Sequence, residues 1–433
     1  IIKNTDSVKN ARIKQKVKEN FDTYNDLLTL NAVWNSLSDL LKINIAEIKG
    51  DKCTEVIDIS ERLLHFIGKM KENRSQIYSD YEDVKGVARI FLRVRGGQGV
   101  QNDLVDVIDN HSISFKNPCS KQVKEFQGYS NVFSKKDTNI AVFNKVRPLI
   151  DTVKTNNIFI MGYGRSGSGK TYTLLGDENN KGIIQLTVSH LLNNKSKFNI
   201  KSIKLSSLEL YVNSMFDLLK LKPSISSRGL SDDQTRWLSN RNNVWPPKEL
   251  KYKRSFLSIN NQVNKTSVEI SSLTNIDMIN TIMYNRMTAE TENNPVSSRS
   301  HLLLIFTVQF ENGTKQNIVF ADLAGNEEWW NFNQNSSNTL KQEGKSITRS
   351  LYSLKNGIIA YHSGRQLPSS TEKIYNVIDN FIDFNKSKGG SNAKIGIIFN
   401  TKDFLSIKNP SEIKYECDSF LDTLNFSQAL INA

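Results

Sequence analysis

Cysteine is scarce. The chain has three in 433 residues, Cys53, Cys119 and Cys417. They lie too far apart to form a disulfide framework or a metal-ligand spacing. Isolated thiols suit a reducing compartment, so a cytoplasmic location is expected. The five histidines form no ligand cluster. No apolar run approaches the ~20 residues that span a bilayer, and no signal-peptide pattern opens the chain, so no membrane is expected. The chain begins at Ile1 rather than Met, which reads as a piece of a longer protein. The aromatic-and-basic pattern of a nucleic-acid module is missing, so nucleic acid is not an expected partner. Proline is absent from residues 1–85, and Gly50 and Gly68 are their only glycines.

Without those breakers, residues 1–86 read as a helical neck. Val56, Leu63, Met70, Ile77 and Val84 fall seven apart, and Ile59, Phe66 or Ile67, and Tyr81 partly fill a second seam. A seven-residue apolar repeat lines one stripe of a helix, which predicts a coiled coil over about 56–84. A single amphipathic helix packed on its own domain fits the same pattern. Val33, Leu37, Leu40 and Leu41 extend the helical reading towards the N-terminus without a clear register.

From residue 87 to the end the pattern changes. The run 88–94 alternates apolar and charged residues, a strand signal. Further strands are expected at 158–161, 206–211, 267–270, 302–310, 318–322 and 395–399, with helical stretches between them. Such alternation predicts an α/β layered sheet. The polar stretch 221–265, with Trp245-Pro246-Pro247, reads as a surface insertion. Hydrophobic residues make up 38% and charged residues 23%, an ordinary globular balance. The formal net charge of +13 favours an acidic partner.

Three motifs carry chemistry. Gly164-Arg165-Ser166-Gly167-Ser168-Gly169-Lys170-Thr171 is a complete G-x-x-x-x-G-K-[ST] between a strand and a helix. Its glycines let backbone N–H groups wrap phosphates, Lys170 reaches the β- and γ-phosphates, and Thr171 offers a hydroxyl to Mg²⁺. Asn294-Pro295-Val296-Ser297-Ser298-Arg299-Ser300-His301 then leads into a strand. The serine pair can offer hydroxyls to the metal and the γ-phosphate, and the arginine a charge to an acidic group. Third, the strand 317–321 ends in Asp322-Leu323-Ala324-Gly325-Asn326-Glu327. Asp322 fits a Walker-B carboxylate that holds Mg²⁺ through water, and Gly325 can swing its N–H to the γ-phosphate.

Taken together and in this order, the motifs resemble those of kinesin motor domains, from about residue 88 to 433. The family's G-Q-T-G-S-G-K-T loop stands here with Arg165 and Ser166 for Gln and Thr. Its first-switch pattern N-R-x-x-A-x-T-x-x-N-x-x-S-S-R-S-H is whole, from Asn285 and Arg286 through Ala289, Thr291 and Asn294 to His301. Its second switch D-L-A-G-S-E is kept except for Asn326. Fainter echoes are Arg93-Val94-Arg95 for the adenine-side R-V-R-P, Tyr172 for a base-stacking ring, and Leu208-Glu209-Leu210-Tyr211. Glu343-Gly344-Lys345-Ser346-Ile347 and Leu424-Asn425-Phe426 are two more.

The resemblance implies a P-loop NTPase-type fold, a central mostly parallel sheet flanked by helices. It implies a microtubule-stimulated ATPase that binds ATP or ADP with Mg²⁺. Nucleotide contacts would come from Arg93, Arg95, residues 164–172 and Asn294, and metal contacts from Thr171, Ser298 and Asp322. Ser297, Ser298, Arg299, Asp322, Gly325 and Glu327 would do the catalytic work, with an Arg299–Glu327 salt bridge closing the site. A neck ahead of the motor resembles the C-terminal-motor, minus-end-directed kinesins. Dimerisation through that neck, with itself or another chain, and a place on cytoplasmic or spindle microtubules would follow. Lys345, Arg349, Lys355 and Lys373 are the expected contacts to acidic tubulin. Two departures stand out. The family's P-Y-R-D-S-K-L-T is here Pro368-Ser369-Ser370-Thr371-Glu372-Lys373-Ile374-Tyr375, with Ser370 for arginine and an added Glu372. These leave a weakly hydrolysing microtubule tether, or a partner subunit in a heterodimer, as the alternative.

Overall fold

The computed structural model describes residues 88–95, 104–177, 179–211, 214–219, 267–271, 299–326, 338–363, 372–382, 393–401 and 410–432, with Ile279, Ile282, Met283 and Arg286. All of them belong to the unit Ala88–Ala433. The expected neck, its coiled coil and the 221–265 insertion lie outside the described residues.

Alternation along the strands builds two cores on one sheet. The first strands are β1 (Arg89–Val94), β2 (Val105–Asp109), β3 (Ser112–Lys116), β4 (Val123–Gln127), β5 (Asn131–Phe133) and β6 (Asn157–Tyr163). They are followed by β7 (Ile200–Tyr211), β8 (Ser214–Asp217), β9 (Val268–Glu269), β10 (His301–Phe310), β11 (Lys315–Asp322) and β12 (Ala393–Thr401). Successive side chains of a strand point to opposite faces. So Ile158 and Ile160 of β6 join one apolar cluster, while Phe159 and Met161 join the other. Leu302 and Leu304 of β10 part from Leu303 and Ile305 in the same way.

The main sheet has nine strands among the described residues, in the order β5-β1-β12-β6-β11-β10-β7-β8, with β9 also on β7. It is parallel from β5 through β11 and antiparallel from β11 to β8. A parallel sheet needs helices on both faces, and both have them. One face takes α1 (Asn139–Asp151), the short α2 (Lys170–Leu175) and α3 (Ile183–Asn193), followed by a single turn, α4 (Lys195–Phe198). The other takes α5 (Asn338–Ser363), α6 (Lys373–Ile382) and α7 (Pro410–Ile431). Ile347, Leu351, Leu354 and Ile358 put one face of α5 on the sheet. Their three- and four-residue steps are the period of an amphipathic helix.

A separate three-stranded sheet, β2-β3-β4, was not foreseen in the sequence. Its inner residues Ile113, Phe115 and Phe126 are fully buried, and the Phe115 ring lies 4.7 Å from that of Phe420 on α7. The expected strands all formed, and β7 begins at Ile200, earlier than the sequence suggested. Ligands of open α/β sheets bind outside the carboxyl ends of the parallel strands. Here the ends of β1, β12, β6 and β11 bring Arg93, Asn400, Tyr163 and Asp322 to that edge.

A candidate nucleotide-binding site

At the end of β6 the chain turns through three glycines with positive φ: Gly164 at 140°, Gly167 at 75° and Gly169 at 97°. Side chains resist this region, so the loop needs glycine. At Gly164 space also forbids anything larger, because a Cβ there would sit 2.2 Å from the Asn400 carbonyl oxygen. The loop closes around the Lys170 ammonium, which donates to the carbonyls of Gly164 at 2.8 Å and Arg165 at 2.9 Å. Lys170 is 6% exposed. Arg95 straps the loop from outside by donating to the Gly167 carbonyl. The cleft over the loop has a volume of about 690 Å³, within the ~300–1,000 Å³ usual for small-molecule sites.

Thr171, at the start of α2, donates from Oγ1 to Asp322 Oδ2 at 2.9 Å, joining residues 151 apart in sequence. The same oxygen takes a 2.7 Å bond from Arg286, and this ion pair is almost fully buried. Arg286 also donates to Ser300 Oγ at 3.1 Å and to the Ser300 carbonyl at 2.8 Å. The second carboxylate oxygen, Asp322 Oδ1, is buried with no partner among the described residues. A buried anionic oxygen without a donor is rare in native proteins, and one beside a threonine hydroxyl suits a metal-bound water. Among the described residues no group of three His, Cys, Asp or Glu could cage a metal alone. The donor set therefore fits Mg²⁺ shared with phosphates, the mode that ion prefers.

The wall expected on the base side sets the flagged Arg93 and Tyr172 on supports that no motif marked, Asn139, Thr173 and Asp137. Arg93 donates to Asn139 Oδ1, to Thr173 Oγ1 at 2.8 Å and to the Asp137 carbonyl at 3.2 Å. Its guanidinium lies 5.4 Å from the centre of the Tyr172 ring. Asp137 in turn holds the turn after β5 by accepting from the backbone and hydroxyl of Ser134. Arg93 is thus fastened to the scaffold and fixes the wall on which Tyr172 stands 37% exposed.

A family model described as the kinesin motor domain matches residues 93–388. The chain belongs to the kinesin motor-domain family. Kinesin-like protein KIN-14I of Oryza sativa subsp. japonica is 27% identical over 398 residues, covering 84% of this chain and 30% of that protein. Kinesin-like protein KAR3 of Saccharomyces cerevisiae is 26% identical over 325 residues, covering 69% of this chain and 41% of that protein. The chain thus spans less than half the length of these two curated relatives. Among solved structures, a KIF14 dimer with AMP-PNP on a microtubule matches with a TM-score of 0.60 at 22% identity. That match covers 79% of this chain and 93% of the other. The Kar3Vik1 C-terminal motor and motor homology domain, fused to a synthetic heterodimeric coiled coil, matches at 0.56 and 23% identity, covering 92% and 99%. At such identities the likeness is one of fold.

In this kinesin motor domain the described residues bring together Arg93, Arg95, Gly164, Arg165, Ser166, Gly167, Ser168, Gly169, Lys170, Thr171, Tyr172 and Asp322. Gly325 is buried in the turn after β11, and the next backbone N–H, that of Asn326, reaches the Gly164 carbonyl at 3.4 Å. Arg299 is buried at the entry to β10. Asn294, Ser297, Ser298 and Glu327 lie outside the described residues, as does Ser370. The family's serine is replaced by Asn326, whose longer side chain donates to Thr423 on α7 at 3.0 Å. Burial of the Tyr163 hydroxyl beside this asparagine pushes its pKa up. Lys355, expected on the track side, is turned onto α7, 3.6 Å from Asp422 and 5.1 Å from the centre of the Phe426 ring.

Arg286 and His301 belong to the first-switch pattern, but nothing in the sequence assigns either a role. Burial, with Arg286 and Lys170 close by, lowers the His301 pKa from 6.5 to about 3. An unfolded chain takes that proton near pH 6.5, while the fold refuses it until about pH 3. Between those values the unfolded state binds more protons, so acid destabilises the fold. The expected loss from this group is about 1.4 kcal/mol per pH unit. Urea melts at about pH 7 and about pH 5 check it, with His301→Gln losing one proton's worth of slope.

Proposed function

We propose that this chain is a microtubule-based, ATP-driven motor, minus-end-directed, whose 164–171 loop binds Mg-ATP and whose second switch reports the γ-phosphate. The observation that carries this reading is the Thr171–Asp322 hydrogen bond with Asp322 Oδ1 left over. It joins the phosphate loop to the second switch and leaves a buried anionic oxygen on the carboxylate that the Thr171 hydroxyl touches.

In this reading the loop's N–H groups cradle the phosphates, and the Lys170 ammonium exchanges its two carbonyl partners for the β- and γ-phosphates. Thr171 and Asp322 would hold Mg²⁺ with Ser298, and the metal would neutralise charge on the phosphate oxygens. Arg299 and Glu327 would close the first switch onto the second and exclude bulk water. Ser297 and Ser298 would present hydroxyls to the phosphate, and Asn294 would line the same loop. Gly325 would offer its N–H to the γ-phosphate and lose that contact on hydrolysis. Water would attack the γ-phosphorus as its bond to the leaving oxygen of ADP breaks, and no bond to the protein need form, because phosphoryl transfer is helped chiefly by positioning and charge.

Support for a track-facing role comes from α5. Its inner face is apolar, while Gln342, Lys345, Arg349 and Tyr352 form an exposed stripe with helical spacing. Two cations and an aromatic ring on one stripe suit an acidic protein surface. The neck before residue 88, and dimerisation through it, follow from the resemblance to C-terminal motors. A heterodimer, as in the Kar3Vik1 structure with its synthetic heterodimeric coiled coil, fits the same arrangement.

One observation favours the alternative, a weakly hydrolysing tether. Glu372 sits close enough to Arg349 for that cation to oppose the rise in its pKa that burial causes. A carboxylate beside the stripe weakens its field. Gliding of polarity-marked microtubules over the surface-bound protein separates the two. Minus-end-directed gliding with ATP is the expected result; attachment without motion supports the tether, and no attachment contradicts both.

A further inference from the structure

His301 opens β10, and its imidazole touches two elements that the proposed function requires to move together. Nδ1 accepts a 3.1 Å hydrogen bond from the backbone N–H of Ala324, the residue before Gly325. Nε2 lies 2.9 Å from Ser350 Oγ on α5. Ser350 Oγ donates onward to the Ile347 carbonyl at 2.7 Å. These partners fix every proton in the chain. Nδ1 faces a donor and must be bare, so Nε2 carries the hydrogen and donates to Ser350, whose own hydrogen is committed to Ile347. His301, Ser300 and Ser350 are all buried.

We propose that His301 is a positioning residue that ties the backbone of the second switch to α5, so that whatever displaces Gly325 also displaces the helix. Among the described residues, α5 otherwise packs on the sheet through the apolar Ile347, Leu351, Leu354 and Ile358. Apolar packing is non-directional and tolerates a small slide, whereas a hydrogen bond fails within a few tenths of an ångström or a modest change of angle. The imidazole supplies the directional link. It is itself held, because the preceding Ser300 is gripped by Arg286, which is bonded to Asp322. A chain of defined bonds therefore runs from the carboxylate at the phosphate site to the helix with the exposed Lys345, Arg349 and Tyr352. The bistable element is the turn at residues 323–326, and α5 reads it.

This inference rests on the motor reading, but it is testable without a filament. Hydrogen–deuterium exchange across residues 343–358 is compared with ADP and with AMP-PNP, in the full chain and in Ser350→Ala. The full chain is expected to show a nucleotide-dependent difference there. Ser350→Ala removes one oxygen and should shrink that difference about fivefold or more, the usual lower scale of a coupling between sites. Exchange in residues 170–175 should still respond to nucleotide. Ser350→Thr, which keeps the hydroxyl, should restore the difference. In microtubule co-sedimentation, the ratio of affinities with AMP-PNP and with ADP should fall by about five- to tenfold in Ser350→Ala. An unchanged exchange difference in Ser350→Ala overturns the relay. So does faster exchange by the same factor in both nucleotides, which marks a merely structural residue. If the full chain binds no microtubules, the motor reading fails while the exchange result still judges the relay.

Discussion

Lys170→Ala is expected to lower ATP turnover by about 10²–10³-fold, roughly 2.7–4 kcal/mol of lost transition-state stabilisation. In the structure this ammonium lies inside the loop on the Gly164 and Arg165 carbonyls, where the terminal phosphates of a bound nucleotide would meet it. Alanine leaves the glycine turns intact, since their geometry depends on positive φ at Gly164, Gly167 and Gly169. Single-turnover hydrolysis with a fluorescent ATP analogue measures the loss, and a circular-dichroism melt checks that the sheet survives. Turnover within a factor of ten of the parent would place the phosphates elsewhere.

Arg286→Ala should unfold the site from within. It strips the cation from a carboxylate that is 3% exposed and removes both donors to Ser300. Breaking one side of a buried ion pair costs about 3–5 kcal/mol, because the remaining charge has no water to return to. Against a total stability of about 5–15 kcal/mol, that is a large share. The melting temperature should fall by about 4–7 °C. Adding Asp322→Asn to Arg286→Met should recover part of the loss, since no charge is then stranded. A thermal-melt double-mutant cycle reads the coupling, and additive effects would mean the two residues do not depend on each other.

The parts of the site that were legible in the sequence are contiguous. A phosphate loop bends as this one does only with glycine at set positions, here 164, 167 and 169, so 164–171 announced itself. The Asp322 carboxylate was legible because an apolar strand ends on it. What stayed hidden were partners brought from a distance by the fold. Arg286 reaches Asp322 across 36 residues, and His301 reaches Ser350 across 49. Nothing in local composition marks either pair. The scaffold of the base wall is similar: Asn139, Thr173 and Asp137 are ordinary polar residues until the sheet sets Arg93 among them. The small β2-β3-β4 sheet escaped notice because β2 and β4 are largely exposed and lack the apolar runs of the main sheet. Lys355 misled, since a lysine on a helix gives no sign that α7 will offer it Asp422 and a phenylalanine ring.

The proposed link between the phosphate loop and a track-facing helix stands or falls most directly on steady-state ATP turnover measured against rising microtubule concentration. Turnover is expected to climb and saturate in the full chain, and to stay flat in Lys170→Ala. Turnover indifferent to microtubules in the full chain, at salt low enough for basic surfaces to bind, would contradict it.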